Sequence, residues 1–218
     1  MPKISAMTPA TTITSTDIVA GVVSGVSKSI TAEQILMTKS LTATRYEDLR
    51  VPVTATKTGG SKEPNFIQVK DNGSGSQGVF AYAFDKTSEE ELYFTVQIPH
   101  DFKMGTQIEA HVHWAPVDTD TGTIQWGLEY TFAEAGSVFG DTNIILSTAT
   151  AAGGIAYAHT YLDIDDIDTS AITTLSPMML CRIYRNVAVD TYNNDALLLE
   201  IDFHYERDSL GSATETVK

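Results

Sequence analysis

The sequence predicts an all-β chain: an antiparallel β-sandwich of jelly-roll type, preceded by an extended N-terminal arm that contains a short helix. Three observations predict it. Several segments alternate apolar and polar residues with period two, the signature of a strand with one buried face. Clusters of Gly, Asn, Asp and Ser separate those segments at short intervals and mark turns. No long stretch between them carries apolar residues at helical spacing, which leaves antiparallel sheets packed face to face.

The arm comes first. Residues 1–30 are rich in Thr, Ser, Ala and Gly, with apolar islands at Ile4, Ile13, Ile18-Val19, Val22-Val23, Val26 and Ile30. That is too little apolar surface for a core of its own. A short hairpin is expected there, with Gly21 or Gly25 at its turn, packed on something else. Thr31 with Gln34 three residues on fits a capping box and opens a short helix through about Met37. One such helix is marginal alone, so the arm needs a partner chain or a platform. Arg45 to Val53 leads into the body, and the expected division is an arm, residues 1–50, and a body, residues 51–218.

In the body, Gly59-Gly60 and residues 72–78 are turn-rich breaks. Between them Phe66, Gln68 and Lys70 alternate with Ile67 and Val69. Strands are expected over 79–84, 92–98, 108–114, 124–132, 142–150, 157–164, 179–185 and 196–206. In the third of these, Ile108, Ala110, Val112 and Trp114 fall on one face, and Glu109, His111 and His113 on the other. In the fourth, Ile124, Trp126, Leu128 and Tyr130 alternate with Gln125, Gly127 and Glu129. In the last, Leu197, Leu199, Ile201, Phe203 and Tyr205 alternate with Glu200, Asp202, His204 and Glu206. The inner faces are thus aliphatic and aromatic, while one outer face gathers acids and histidines.

At 218 residues the chain can hold one sandwich with a modest extension. Its one cysteine, Cys181, excludes an intrachain disulfide; with Leu180 and Ile183 beside it, it reads as a small core residue of a protein folded in a reducing cytoplasm. No apolar run approaches the roughly 18 residues of a membrane span. No apolar stretch follows Lys3, so no signal peptide is expected. The net charge of −14 is uneven. Residues 1–60 hold six basic side chains (Lys3, Lys28, Lys39, Arg45, Arg50, Lys57) against four acidic ones (Asp17, Glu33, Glu47, Asp48), a net +2, which leaves −16 on the remainder. An acidic body repels nucleic acid and anionic membranes, and the asymmetry points to a different partner for the first sixty residues.

Three stretches carry a resemblance: Ile4-Ser5-Ala6-Met7-Thr8-Pro9-Ala10-Thr11-Thr12, Asp17 to Val23, and Gly25-Val26-Ser27-Lys28-Ser29-Ile30-Thr31-Ala32-Glu33-Gln34-Ile35. Together they resemble the N-terminal leader of tailed-bacteriophage fibre and appendage proteins, departing from it at Ala20 and Ser29. Val96 to Trp114 is similar to a segment of phage structural proteins. The resemblance implies a non-enzymatic virion protein assembled in the host cytoplasm, a homotrimeric fibre, spike or capsid decoration. It implies docking on other virion proteins, of capsid or tail, through the arm, with Ile4, Ile18, Val22, Val26, Ile30 and Ile35 as attachment residues. The rival reading is a carbohydrate-binding module that takes host surface glycan.

Candidate chemistry is sparse. Gly73 to Gly78 satisfies G-x-G-x-x-G, but Val79 to Phe84 after it reads as a strand where a dinucleotide site needs a helix, so it is a turn. Asp118-Thr119-Asp120-Thr121-Gly122 and Asp163 to Asp168 lack the spacing and distal Glu of an EF-hand loop, and read as a turn and a solvated acidic loop. Tyr157, Tyr161 and Tyr192 are candidates to stack on sugars. No Ser or Cys stands in a nucleophile motif, and no cofactor is expected beyond a possible divalent metal. That candidate is His111 with His113: with Glu109 they can meet Glu200, Asp202 and His204 if the two strands pair, and imidazole and carboxylate suit a transition metal. His111-Val112-His113 is also similar to the H-x-H pairs with which some trimeric phage fibres hold an ion on their axis.

Overall fold

The computed structural model describes residues 18–23, 26–31, 45–209 and 211–212. The chain divides into two units, residues 1–44 and residues 45–218. In the first, β1 (Ile18–Val23) and β2 (Val26–Thr31) form an antiparallel hairpin, in register from Ile18↔Thr31 to Val23↔Val26. The expected hairpin forms, but Gly21 is a strand residue opposite Lys28 and not part of its turn. The connection, with Gly25, lies outside the described residues. So does the expected helix beyond Thr31, which itself closes β2. Of the attachment candidates, Ile18 and Val22 stand opposite Thr31 and Ser27, while Val26 and Ile30 stand opposite Val23 and Val19. The two pairs therefore occupy alternate rungs of the ladder. Ile4 and Ile35 lie outside the described residues.

The second unit comprises β3 (Arg45–Pro52), β4 (Asn65–Lys70), β5 (Val79–Phe84), β6 (Glu91–Gln97), β7 (Ile108–Pro116), β8 (Thr123–Ile124), β9 (Trp126–Ala133), β10 (Asn143–Leu146), β11 (Thr150–Ala151), β12 (Thr160–Ile167), β13 (Met178–Arg185) and β14 (Ala196–Arg207). The larger sheet has the order β12-β7-β14-β5-β4, with β3 also on β14; the smaller has the order β10-β9-β13-β6. Every pairing is antiparallel. From β5 to β14 the chain crosses between the sheets at each step except β9 to β10, with the short β8–β11 ladder outside both. That is the jelly-roll path, and the fold class read from the sequence stands.

The boundary between the units corrects the expected one. Charge groups residues 45–50 with the arm, yet β3 pairs with β14 from Arg45↔Arg207 to Pro52↔Glu200. Leu49 packs against the core and Val51 is part of it, so these residues complete the larger sheet.

The core lies between the sheets. Ile108, Val112, Trp114, Ile201 and Phe203 of one meet Leu92, Leu128, Met179 and Ile183 of the other, all fully buried. Trp126 sits edge-on to Phe84 at 5.0 Å. Each such side chain contributes about 1.5–3 kcal/mol by leaving water. Cys181 is buried as expected, and burial pushes its thiol well above the ordinary range. Gly127 is required by packing: a Cβ there would come within 2.3 Å of the Tyr184 ring that crosses the strand. No helix among the described residues is long and apolar enough to cross a membrane.

Register shifts interrupt simple alternation in β4, between Gln68 and Lys70, and in two strands that bear on the core. In β14 a bulge between Leu198 and Glu200 shifts the register against β7. An extra residue in one strand reverses the facing of every residue beyond it. Ala196 and Leu198 therefore join the core with Ile201 and Phe203. Leu197 and Leu199 go instead to a small separate cluster with Ala81, Ala83 and Ala115. In β12 a bulge between Asp163 and Asp165 lets both Ile164 and Ile167 reach the core. Asp163 to Ile167 is thus strand, where a solvated acidic loop was expected.

Candidate functional site

Four neighbouring strands, β3, β14, β7 and β12, place alternate residues on the outer face of the larger sheet. The registers set His111 beside Asp202 on one side and Asp163 on the other. They set His204 between Glu109 and Asp48, and His113 between Glu200 and Tyr161. The expected meeting of the two strands is therefore present. Asp48, Glu109, His111, His113, Tyr161, Asp163, Asp202 and His204 line an open hollow of about 430 Å³.

Asp202 is the centre of this group. It is buried, its side chain 7% exposed. Its Oδ2 lies 3.0 Å from Nε2 of His204 and 4.0 Å from Nδ1 of His111. Its Oδ1 lies 3.2 Å from Nε2 of His113, an ion-pair distance without hydrogen-bond alignment, so that buried oxygen has no hydrogen bond. Nε2 of His204 also lies 3.0 Å from Oδ1 of Asp48. Nε2 of His111 is 3.1 Å from Oδ1 of Asp163 and 4.0 Å from Oε2 of Glu109. The His111 and His204 rings meet edge to face at 4.0 Å. At the rim, Arg50 grips Glu200 through two hydrogen bonds of 2.7 Å, and that carboxylate pushes the guanidinium above its ordinary value.

Both sequence-designated histidines are on this face, but they keep different company. Two groups of donor atoms converge to within 4.8 Å: Glu109, His111 and His204, and Asp48, Asp202 and His204. His113 belongs to neither. Its Nδ1 pairs with Nε2 of His159 at 2.8 Å, with the rings stacked. Sequence reasoning misses Asp48 because charge assigns it to the arm, and His159 because it stands alone in the strand expected over 157–164, which begins only at Thr160. Imidazoles and carboxylates so arranged can bind a cation or exchange protons. Among the described residues, no Ser hydroxyl or Cys thiol lines the hollow.

Of the other sequence candidates, Asp163 and Tyr161 line the hollow, and the rest make structural contacts. Asp118 and Asp120 accept backbone N–H groups of their own turn, at 3.0 Å each from Asp120 and Gly122. Backbone N–H groups of Asn193 and Gly122 hold the Asp120 carboxyl below its ordinary value. Asp168 likewise caps Ser170. Among the described residues, neither acidic stretch gathers three donors of its own. Tyr192, a candidate for sugar stacking, is buried, and its hydroxyl donates to Asp118 and accepts from Val117 N–H. Tyr157 is exposed under the Lys70 ammonium at 4.1 Å. Tyr161, 61% exposed, stands at the rim of the hollow.

No family model and no curated protein sequence match the chain. Among solved structures it is similar to a chain in the structure of the infectious bursal disease virus Gx strain, with a TM-score of 0.37 and 10% identity over 90% of this chain and 38% of that one. It spans less than half the length of that viral chain. It is also similar to CBM27-1 of Caldicellulosiruptor saccharolyticus, solved in complex with mannohexaose, with a TM-score of 0.32 and 11% identity over 72% of this chain and 96% of that one. A third is TmCBM27, a carbohydrate-binding module for which mannan recognition is described, with a TM-score of 0.30 and 10% identity over 74% of this chain and 98% of that one.

Proposed function

We propose that the chain is a non-enzymatic structural protein of a tailed-phage particle, assembled in the host cytoplasm as a homotrimeric fibre, spike or capsid decoration. Residues 1–44 dock it on capsid or tail proteins, and the jelly-roll body is held outward. The division of the chain carries this reading. The residues that resemble a phage leader fall in a unit separate from the body, and among the described residues the main core is built from residues 51–205. A leader with too little apolar surface for a core of its own orders on another surface. The body's negative charge supports the same reading, because it keeps a densely displayed protein soluble and off nucleic acid. Mass spectrometry of purified particles and a particle reconstruction test it: the chain is expected at stoichiometric copy number in three-fold density. Absence from the particles would remove the proposal.

One observation favours a second role for the same body. Tyr161 presents an open ring beside the carboxylates of Asp163 and Glu109. A sugar needs an aromatic face for its C–H side and acceptors for its hydroxyls. A glycan array with the parent and Tyr161→Ala decides whether the body also binds host glycan; equal, featureless arrays exclude it.

A further inference from the structure

We propose that Asp48, Asp202 and His204 bind one divalent transition-metal ion on the outer face of the larger sheet. Nε2 of His204 is 3.0 Å from Oδ1 of Asp48 and 3.0 Å from Oδ2 of Asp202. Donors held at about 2.0–2.2 Å by one ion, at right or tetrahedral angles, stand roughly 2.8–3.6 Å apart. Both separations fall in that interval, and all three atoms lie within 4.8 Å of one another.

Hydrogen bonding alone leaves the group incomplete. An imidazole Nε2 carries at most one proton and cannot satisfy two carboxylates along two directions. Asp202 is buried, yet its Oδ1 has no hydrogen bond and meets His113 only at an ion-pair distance of 3.2 Å, and a buried anion whose compensation is incomplete is costly. The nearby cation, Arg50, is committed to Glu200 by a bidentate pair. A divalent ion between the carboxylates supplies the missing charge. One imidazole with two carboxylate oxygens suits Zn²⁺, Co²⁺ or Mn²⁺, whereas Ca²⁺ takes six to eight oxygens. Positions left open face the hollow, where Glu109 and His111 stand. Asp48 is on β3 and the other two ligands are on β14. The ion would thus cross-link the strand that directly follows residues 1–44 to the middle of the sheet.

The test is calorimetric titration of the tag-free, full-length chain, stripped by chelator, with zinc, cobalt and manganese chloride in turn. At least one ion is expected to bind at one per chain and to raise the melting temperature, reversibly with chelator. Asp48→Asn, Asp202→Asn and His204→Ala should each weaken binding by more than about tenfold, the upper range for disturbing even an outer partner being larger still. His100→Ala, outside the hollow and bonded to Ser212, should change nothing. If the buried or central variants fail to fold, Asp48→Asn decides alone, since Asp48 is exposed and contributes nothing to the core. No saturable binding of any of the three ions, binding of many ions per chain without a defined site, or binding unchanged by Asp48→Asn overturns the proposal.

Discussion

Replacing Arg185 by Met should cost about 3–8 kcal/mol of stability. The guanidinium is fully buried where β13 ends. Its Nε donates to Oδ2 of Asp190 at 2.6 Å, its Nη1 to the carbonyls of Phe84 and Asn194 at 2.9 and 2.8 Å, and its Nη2 to the carbonyl of Tyr192 at 2.9 Å. Asp190 in turn accepts the backbone N–H of Gln125 at 2.6 Å. One side chain therefore ties the ends of strands from both sheets to the loop before β14. Methionine fills similar space but strands the Asp190 carboxylate, which costs about 3–5 kcal/mol for a buried pair broken on one side. Three carbonyls also lose a donor, at about 1 kcal/mol or more each if they stay dry. Urea unfolding at two pH values measures the loss and identifies its source. Burial already pushes the Asp190 carboxyl up, against the opposing hydrogen bond from Arg185. An acid whose folded pKa lies above its unfolded one penalises the fold at higher pH, and the penalty fades as pH falls through the folded value. The deficit of Arg185→Met should therefore be larger at pH 8 than at pH 5, and Arg185→Met with Asp190→Ala should recover much of it. A loss under about 1 kcal/mol, or a double variant no better than the single one, would refute the reasoning.

The same contacts set three further outcomes. Trp114→Ala should cost about 3–5 kcal/mol, the usual range for a large core aromatic; its indole N–H has no hydrogen-bond partner, so nothing polar is stranded, and a melt that shifts by less than a degree or two would place Trp114 outside the core. Residues 45–218 expressed alone should fold cooperatively, while 51–218 should melt lower or aggregate, because removing most of β3 bares the β14 edge from Asp202 to Arg207; equal melts for the two fragments would return residues 45–50 to the arm. Glu134 accepts backbone N–H groups of Thr173 and then Thr174, which hold its carboxyl below the ordinary value. A depressed acid stabilises the fold above its unfolded pKa and loses that contribution as pH falls through the folded value. Glu134→Gln should therefore melt below the parent at neutral pH, and the difference should close in acid; a gap that widens in acid contradicts the assignment.

Much of the fold was legible because period-two alternation needs only one strand to be visible. Ile108 to Trp114 and Ile124 to Tyr130 each show their core face directly, and the core contains those residues. The β14 bulge was hidden by its own sequence: Leu197, Leu198 and Leu199 are all apolar, so no parity change shows, and the outer face happens to be apolar there too. The pairing of β3 with β14 joins residues about 150 apart, which no local pattern reports. Charge grouping even pointed the other way, since Arg45 and Arg50 share the basic balance of the arm, although Arg50 pairs with Glu200. At the site, the histidine face was readable but its centre was not. Asp202 was one of three residues expected to meet the histidines, and only the fold shows it buried among three imidazoles.

The central claim is that residues 1–44 attach an independently folded body to a phage particle. The most direct measurement is rebinding. Particles lacking the protein are mixed with the purified full-length chain or with residues 45–218, then sedimented. The full-length chain should pellet with the particles to saturation, while the body stays in the supernatant. Equal pelleting of the body, or no pelleting of the full-length chain, would contradict the account.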